Sequence, residues 1–341
     1  MPSSTIIHVA VFSVGAALGA GITAGIASRK KITAGAPSTG AFTSAPVQVQ
    51  GPLVQASKTG ARGVVELSPT LPVDVLRYGN PGPVSDMITR KAYVAGYDRR
   101  LRHPVWTAQH LTLASLSKKG GDRSHSEFVE DPEVPALFRA RLKDYYRSGY
   151  DRGHMVPAAD AKISQEAMDE TFILTNIAPQ VGAGFNRHYW AYTEEWCRRL
   201  TNTFQDVFVF TIPLYLPKQD PDGKYRITYE VIGNPPNVSV PTHFAKVVLG
   251  ARPASSFTSQ FTELSLGAFV LPNAEIPDDT PLSKFNVPVE AVERAAGLTL
   301  FPEEIKKSAK HVCQTAGCDV TVRRFDDAQQ RTRKGIAAPQ K

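Results

Sequence analysis

Apolar positions along the 341-residue chain change character twice. From Ile6 to Ala27 the chain runs 22 residues without a Lys, Arg, Asp or Glu, rich in Val, Ile, Ala and Gly. As a helix this stretch is roughly 33 Å long, enough to cross a hydrocarbon core. Gly15 and Gly19, and then Gly21 and Gly25, stand four residues apart, a spacing that lets membrane helices approach closely. No amphipathic stripe marks it as a buried soluble helix, and no basic residue precedes it as in a secretory signal. A membrane anchor is therefore expected, with a cleaved leader as the alternative. Residues 33–63 hold Ala, Gly, Ser, Thr, Pro and Gln with almost no large side chains, and read as a flexible tether.

From Pro69 onward the pattern is that of a folded body. Short β-type runs occur at 92–98, 105–113, 172–178, 207–216, 225–233, 243–250 and 264–272. Helical stretches fall between them at 133–147, 163–170, 187–203 and 287–311. Strand and helix alternate without a regular βαβ rhythm, so the expected class is α+β around a largely antiparallel sheet. The expected organisation is a leader or transmembrane segment (1–32), a linker (33–68), one catalytic domain (69–312) and a polar basic tail (313–341).

Charge sharpens this picture. The chain carries 39 basic and 32 acidic residues, a net +7 that invites an acidic partner. The excess is not in the body, however. Residues 1–65 contain five basic residues and no acid, and residues 66–318 carry 28 basic against 29 acidic. Positive charge is instead local: Arg90, Lys91, Arg99, Arg100, Arg102, Lys118, Lys119 and Arg123 face only Asp98 and Asp122 over residues 90–123. Three cysteines exclude a scaffold built on disulfides. Cys197 reads as a core thiol, and Cys313 and Cys318 as ordinary helix-end residues. A zinc site at His311, Cys313 and Cys318 is disfavoured by its spacing and its missing fourth ligand.

The chemistry concentrates in SGYDRGHMVPAAD, residues 148–160. Arg152 offers a fork of donors matched to phosphate oxygens, and Gly153 lets backbone approach a ligand. His154 is the side chain suited to take a proton from water near neutral pH. Asn176 follows in FILTNIAPQ, and Asn186 opens the helix of GFNRHYWAYTEEWCRRL, where a helix N-cap is its alternative role. Glu194, eight residues on, lies about 80° around an α-helix and roughly 12 Å along it from Asn186. It can face the same centre but not bind the same ion directly. One amide oxygen with a more distant carboxylate suits Mg²⁺, which keeps most of its waters. The aromatics Tyr145, Tyr146, Tyr150, Tyr189 and Trp190 flank these motifs and could stack on bases or fill the core.

With DRSHSEFVEDPEVP, SGYDRGHMVPAADAKISQEAMDETFILTNIAPQVGAGFNRHYW and YEVIGNPPNVSVPTHFAKVVL in this order, the chain resembles the DNA/RNA non-specific endonucleases of the ββα-metal type. The nearest branch is that of mitochondrial endonuclease G and the fungal mitochondrial nucleases, over about residues 70–305. The resemblance implies a Mg²⁺-dependent endonuclease, with Mn²⁺ as a substitute. It would cut DNA and RNA to 5′-phosphate and 3′-hydroxyl ends. His154 would be the general base and Asn186 the sole direct protein ligand of the metal. Glu194 would hold metal-bound water, Arg123 and Arg152 would meet the phosphate, and Asn176 would orient its neighbours. A homodimer, and attachment to the mitochondrial inner membrane facing the intermembrane space, are implied in the same way. The stretch Thr211, Ile212, Pro213, Leu214 departs from the family's Thr-Gly-Pro-Leu, so a differently shaped turn is expected there. A catalytically weak nucleic-acid-binding member of the fold is the alternative function. Retention of Arg123, His154, Asn186 and Glu194 argues against it. A metal phosphodiesterase for a smaller substrate is disfavoured because the carboxylates and histidines of a two-metal site are missing.

Overall fold

The structure, a computed structural model, describes residues 86–254 and 262–322. The expected leader helix and tether, and the tail beyond residue 322, lie outside the described residues. Among the described residues no helix is long and apolar enough to cross a membrane.

The chain opens with β1 (Asp86–Thr89), β2 (Val94–Asp98) and β3 (His103–Leu111), followed by a one-turn helix α1 (Leu113–Leu116). Helix α2 (Leu142–Tyr145) and β4 (Asp151–His154) come next, then α3 (Gln165–Glu170) and β5 (Ile177–Gln180). Helix α4 (Trp190–Arg199) leads to β6 (Asp206–Leu214). Two small ribbons, β7 (Lys218–Gln219) with β8 (Tyr225–Arg226) and β9 (Val231–Ile232) with β10 (Val238–Ser239), precede the long hairpin β11 (His243–Pro253) and β12 (Thr262–Pro272). β13 (Asn286–Val287), α5 (Val289–Ala296), α6 (Glu303–Ser308), β14 (Lys310–His311) and α7 (Val312–Ala316) close the described chain. The main sheet runs β1-β2-β3-β6-β11-β12-β13, antiparallel throughout, with β14 added parallel to β12. The expected α+β architecture around an antiparallel sheet is what the chain adopts.

Both faces of the sheet are buried, and this explains the unbroken apolar run of β6. Val207 and Val209 face Trp190, Trp196 and Cys197 of α4, while Phe208 and Phe210 face Val292, Leu300 and Phe301. Cys197 is the core thiol its helical position implied.

Several expected elements differ in a physically readable way. The stretch 133–147 is helical only in a short turn at Ala136–Phe138 and in α2. Pro135 stands before the first, and Arg147 takes a left-handed φ of 53° after the second. Residues 287–311 form two helices, because Gly297 turns left-handed at φ 69° and Pro302 precedes the second. The run 172–178 is not one strand: Asn176 Nδ2 bonds the Thr171 carbonyl at 2.8 Å and curls the chain before β5. Only the ends of 225–233 pair as strand. Thr211–Leu214 is no turn at all but the end of β6, where Ile212 lies opposite Ala245 in the core. A β-branched residue is therefore well placed there. Cys313 and Cys318 are joined in a disulfide, correcting their reading as unlinked helix-end residues. They pack with Ala316 and Val320 on the α4 side of the core.

Candidate active site

DRGH, which lies in none of the strands or helices expected from sequence, is strand β4. It pairs antiparallel with β5, His154 opposite Ile177 and Asp151 opposite Gln180. The chain then enters α4 through a wide turn at Gly182–Tyr189, giving two strands and a helix in sequence. Gly153 serves the hairpin rather than a ligand. A Cβ there would stand 2.1 Å from Gln180 Oε1, so the glycine makes room for that buried side chain.

His154 is 8% exposed and lies between two aromatic rings, Phe128 at 5.3 Å and Phe172 edge-on at 4.7 Å. Each ring carries a guanidinium on its other contacts. Arg152 sits 4.4 Å from the centre of Phe128, and Arg123 5.5 Å from that of Phe172. Burial, reinforced by the Arg123 charge, pushes the His154 pKa down to about 3, so the imidazole is neutral at physiological pH. Its Nε2 is buried and has no hydrogen-bond partner. A neutral imidazole has a free ring nitrogen lone pair that can accept a proton, and the two nearby guanidiniums can meet an anion.

Arg123 is held by local chemistry. The Asp122 carboxylate accepts from Ser124 N at 2.9 Å and caps the short turn Arg123–His125. Gln165 on α3 accepts from Asp122 N and donates to the Asp122 carbonyl. Lys119, Arg123 and Lys162 line a shallow cleft of about 410 Å³ between this loop and α3.

Asn176 is fully buried and does not reach the His154 ring. Its amide accepts from Val156 N at 3.0 Å and donates to the Val156 carbonyl at 2.9 Å, clamping the backbone just after His154. Asn186 N bonds Val181 O, five residues back, so Asn186 belongs to a π-type turn and does not cap α4. The 80° offset to Glu194, which assumes a regular α-helix, therefore does not apply. Asn186 Nδ2 donates to Asp151 Oδ2 at 2.9 Å. A carboxylate can only accept, so the amide nitrogen must face it and Oδ1 is left as an outward acceptor. Asp151 also accepts from Arg187 Nε at 2.9 Å.

Glu194 projects from α4 half-buried, and burial raises its carboxyl pKa to about 7 against the opposing pull of Lys246, Arg198 and Arg123. Arg198 pairs with Asp160 at 2.7 Å and with Glu195 at 2.9 Å. Lys246 is 1% exposed; its ammonium donates to Thr211 Oγ1 at 2.7 Å and to the Met155 carbonyl at 3.3 Å, and lies 4.7 Å from the Trp190 ring centre.

The structure thus gathers His154, Arg123 and Arg152 around two phenylalanines. Asn186 is tied to the same strand through Asp151, and Asn176 lies behind it as a clamp. Asp151, Phe128, Phe172 and Lys246 were not singled out from sequence. Lys246 and Thr211 did leave a signal, as polar residues interrupting apolar strands. They stand opposite each other in the β6–β11 register, on the face shared with Val209 and Val248 and covered by α4.

The sequence model of the DNA/RNA non-specific endonuclease family matches residues 72–306. Nuclease 1, mitochondrial, of Schizosaccharomyces pombe is 50% identical over 258 residues, covering 76% of this chain and 79% of that protein. The mitochondrial nuclease of Saccharomyces cerevisiae is 46% identical over 266 residues (78% and 80%), and human mitochondrial endonuclease G is 39% identical over 244 residues (72% and 78%). Among solved structures, one chain of the EndoG/EndoGI complex superposes with a TM-score of 0.64 at 45% identity, covering 69% of this chain and 93% of that one. Family match, identity and fold agree: the chain belongs to the DNA/RNA non-specific endonuclease family, hydrolases that act on nucleic acids.

Proposed function

We propose that the chain is a mitochondrial, Mg²⁺-dependent, sugar-non-specific endonuclease that cleaves DNA and RNA to 5′-phosphate and 3′-hydroxyl ends. One observation carries this reading: a buried, neutral imidazole with a partnerless Nε2, flanked by Arg123 and Arg152 through Phe172 and Phe128. His154 takes a proton from water as the water oxygen attacks phosphorus. The bond from phosphorus to the 3′-oxygen breaks, and that oxygen takes a proton from solvent water to leave as the 3′-hydroxyl. Arg123 and Arg152 offset the charge that develops on the non-bridging oxygens. Contacts limited to phosphate and sugar carry no base sequence, which fits activity on both nucleic acids.

The donor set fits Mg²⁺. Asn186 Oδ1 is a hard oxygen ligand oriented by Asp151. Mg²⁺ keeps most of its water shell, so one direct protein oxygen suffices to hold it. Mn²⁺, which favours the same oxygen donors, is the expected substitute. Asn186 would hold the ion directly and Glu194 would accept from its waters. When bound, the ion would supply positive charge to offset the negative charge that develops in the reaction. Relatives named as mitochondrial support the compartment. Inner-membrane attachment through the Ile6–Ala27 stretch, exposure to the intermembrane space and a homodimer complete the proposal.

The deciding experiment incubates the purified protein with plasmid and with RNA, with Mg²⁺ or with EDTA, beside His154→Ala. Cutting of both substrates only with Mg²⁺, and its loss in the variant, is the expected result. An intact protein that leaves both uncut, or a variant that cuts equally well, overturns the reading.

A further inference from the structure

Of the five aromatics that flank the motifs, the structure removes three from contact with substrate. Tyr145, Tyr189 and Trp190 are buried, and Tyr150 is half-buried. Tyr146 alone stands out, at 71% exposed. The Arg147 guanidinium lies over its ring, 5.1 Å from the centre. Arg147 is held at a φ of 53°, a backbone conformation that side-chain-bearing residues avoid and that persists where the surroundings impose it. Beside this pair opens a cleft of about 280 Å³ lined by Tyr145, Tyr146, Arg147, Tyr150, Arg152 and Asp151, whose carboxylate is already engaged by Asn186 and Arg187. The Tyr145 hydroxyl is buried and has no hydrogen-bond partner. The cleft lies next to the reaction centre: Arg152 on its wall also lies over the Phe128 ring, and Phe128 packs against His154.

We propose that this cleft is a stacking subsite for an unpaired nucleobase of the strand being cut, with Tyr146 as its platform and Arg147 and Arg152 meeting the adjoining backbone. The proposal rests on the nuclease reading above. An exposed ring beside two guanidiniums is the arrangement that holds single strands, since every base has a π-face and every linkage a charge. A base inside a duplex cannot reach such a ring without leaving its stack. The subsite therefore favours single-stranded over double-stranded substrate without favouring a base sequence.

The test measures equilibrium binding of a short fluorescein-labelled thymidine strand, in EDTA so that nothing is cut. The same strand carrying abasic residues is measured in parallel. Tyr146→Ala should weaken binding of the thymidine strand about 5- to 160-fold, the range for one stacked base. The intact protein should lose a similar factor on the abasic strand, and the variant should no longer distinguish the two. Tyr146→Trp, which restores a platform, should bind like the intact protein. Tyr225→Ala, which removes a comparably exposed ring (67%) outside the cleft, should do the same. Arg147→Gly should relieve the left-handed strain, raising Tm by about 2–4 °C, and yet weaken binding. If Tyr146→Ala binds as tightly as the intact protein, or Tyr146→Trp falls as far as alanine, the proposal is overturned. Cleavage with Mg²⁺ is scored separately. An intact protein that binds through Tyr146 but cuts nothing refutes the nuclease reading and leaves the stacking site standing. One that cuts but binds abasic strands equally well refutes the stacking site alone.

Discussion

Removing the Asp151 carboxylate should change how much Mg²⁺ the protein needs rather than how fast it works once loaded. Asp151 Oδ2 accepts from Asn186 Nδ2 and Arg187 Nε, both at 2.9 Å. It is packed against the turn, since a Cβ on Gly182 would come within 2.9 Å of both its carboxylate oxygens. In Asp151→Ala the Asn186 amide loses the acceptor that fixes its rotation, and its NH₂ can turn to where Oδ1 stood. A hydrogen bond to a charged group contributes about 1.5–3 kcal/mol. Loss of a partner that orients a metal ligand costs roughly 10- to 100-fold in affinity, or about 1.4–2.7 kcal/mol. The two ranges agree. The Mg²⁺ concentration for half-maximal plasmid nicking should therefore rise roughly 10- to 100-fold, with the rate largely recovered at saturation. Asp151→Asn keeps a neutral acceptor and should fall between, at roughly 5-fold. The assay is a Mg²⁺ titration of nicking for the three proteins. An unchanged half-saturation accompanied by a lower maximal rate would refute the argument.

Three further outcomes follow from other contacts. Lys246→Met keeps the stem but removes the cation that does most to hold Glu194 ionised against burial. The Glu194 carboxyl, already raised to about 7, should rise further; a rise to about 8 takes the ionised fraction at pH 7 from about a half to about a tenth. Activity should drop roughly 5-fold at pH 7 and recover above pH 9, and an unshifted pH–rate profile would rule this out. Burial lowers the His103 pKa to about 4, so its neutral form is stabilising above about pH 6.5 and the advantage is lost as pH falls towards 4. Between pH 7 and 5 the intact protein should lose about 2 kcal/mol relative to His103→Gln in urea unfolding; parallel losses would contradict it. Gly153→Ala should cost about 1–3 kcal/mol by displacing the Gln180 side chain, and adding Gln180→Ala should recover most of it. A double variant no more stable than the single one would show that the clash is elsewhere.

Local sequence determined the motifs and the strands with the strongest apolar runs. β6, β11 and β12 are legible because each is a long, nearly unbroken apolar segment, as burial on both faces requires. His154, Arg152, Asn176, Asn186 and Glu194 could be picked out because chemically capable residues stand close together in short motifs, whereas Arg123 was reached only through the family resemblance. The motif-level resemblance, and with it the family, was also within reach of sequence alone.

Tertiary structure decided what those residues do to one another. That DRGH is a strand follows from its pairing with a segment more than twenty residues away, which no local pattern encodes. Phe128 and Phe172 became walls of the His154 site only when loops and strands distant in sequence converged, and their burial sets the charge state of the imidazole. Asn186 was displaced from a cap position by a π-type turn and tethered to Asp151, 35 residues earlier. Lys246 is an ordinary lysine in the sequence; opposite Thr211 and beneath α4 it is a buried cation beside a carboxylate. Residue identity fixes which chemistry is available. Solvent exclusion and the distances between charges, which exist only once the chain is folded, fix which of it is used.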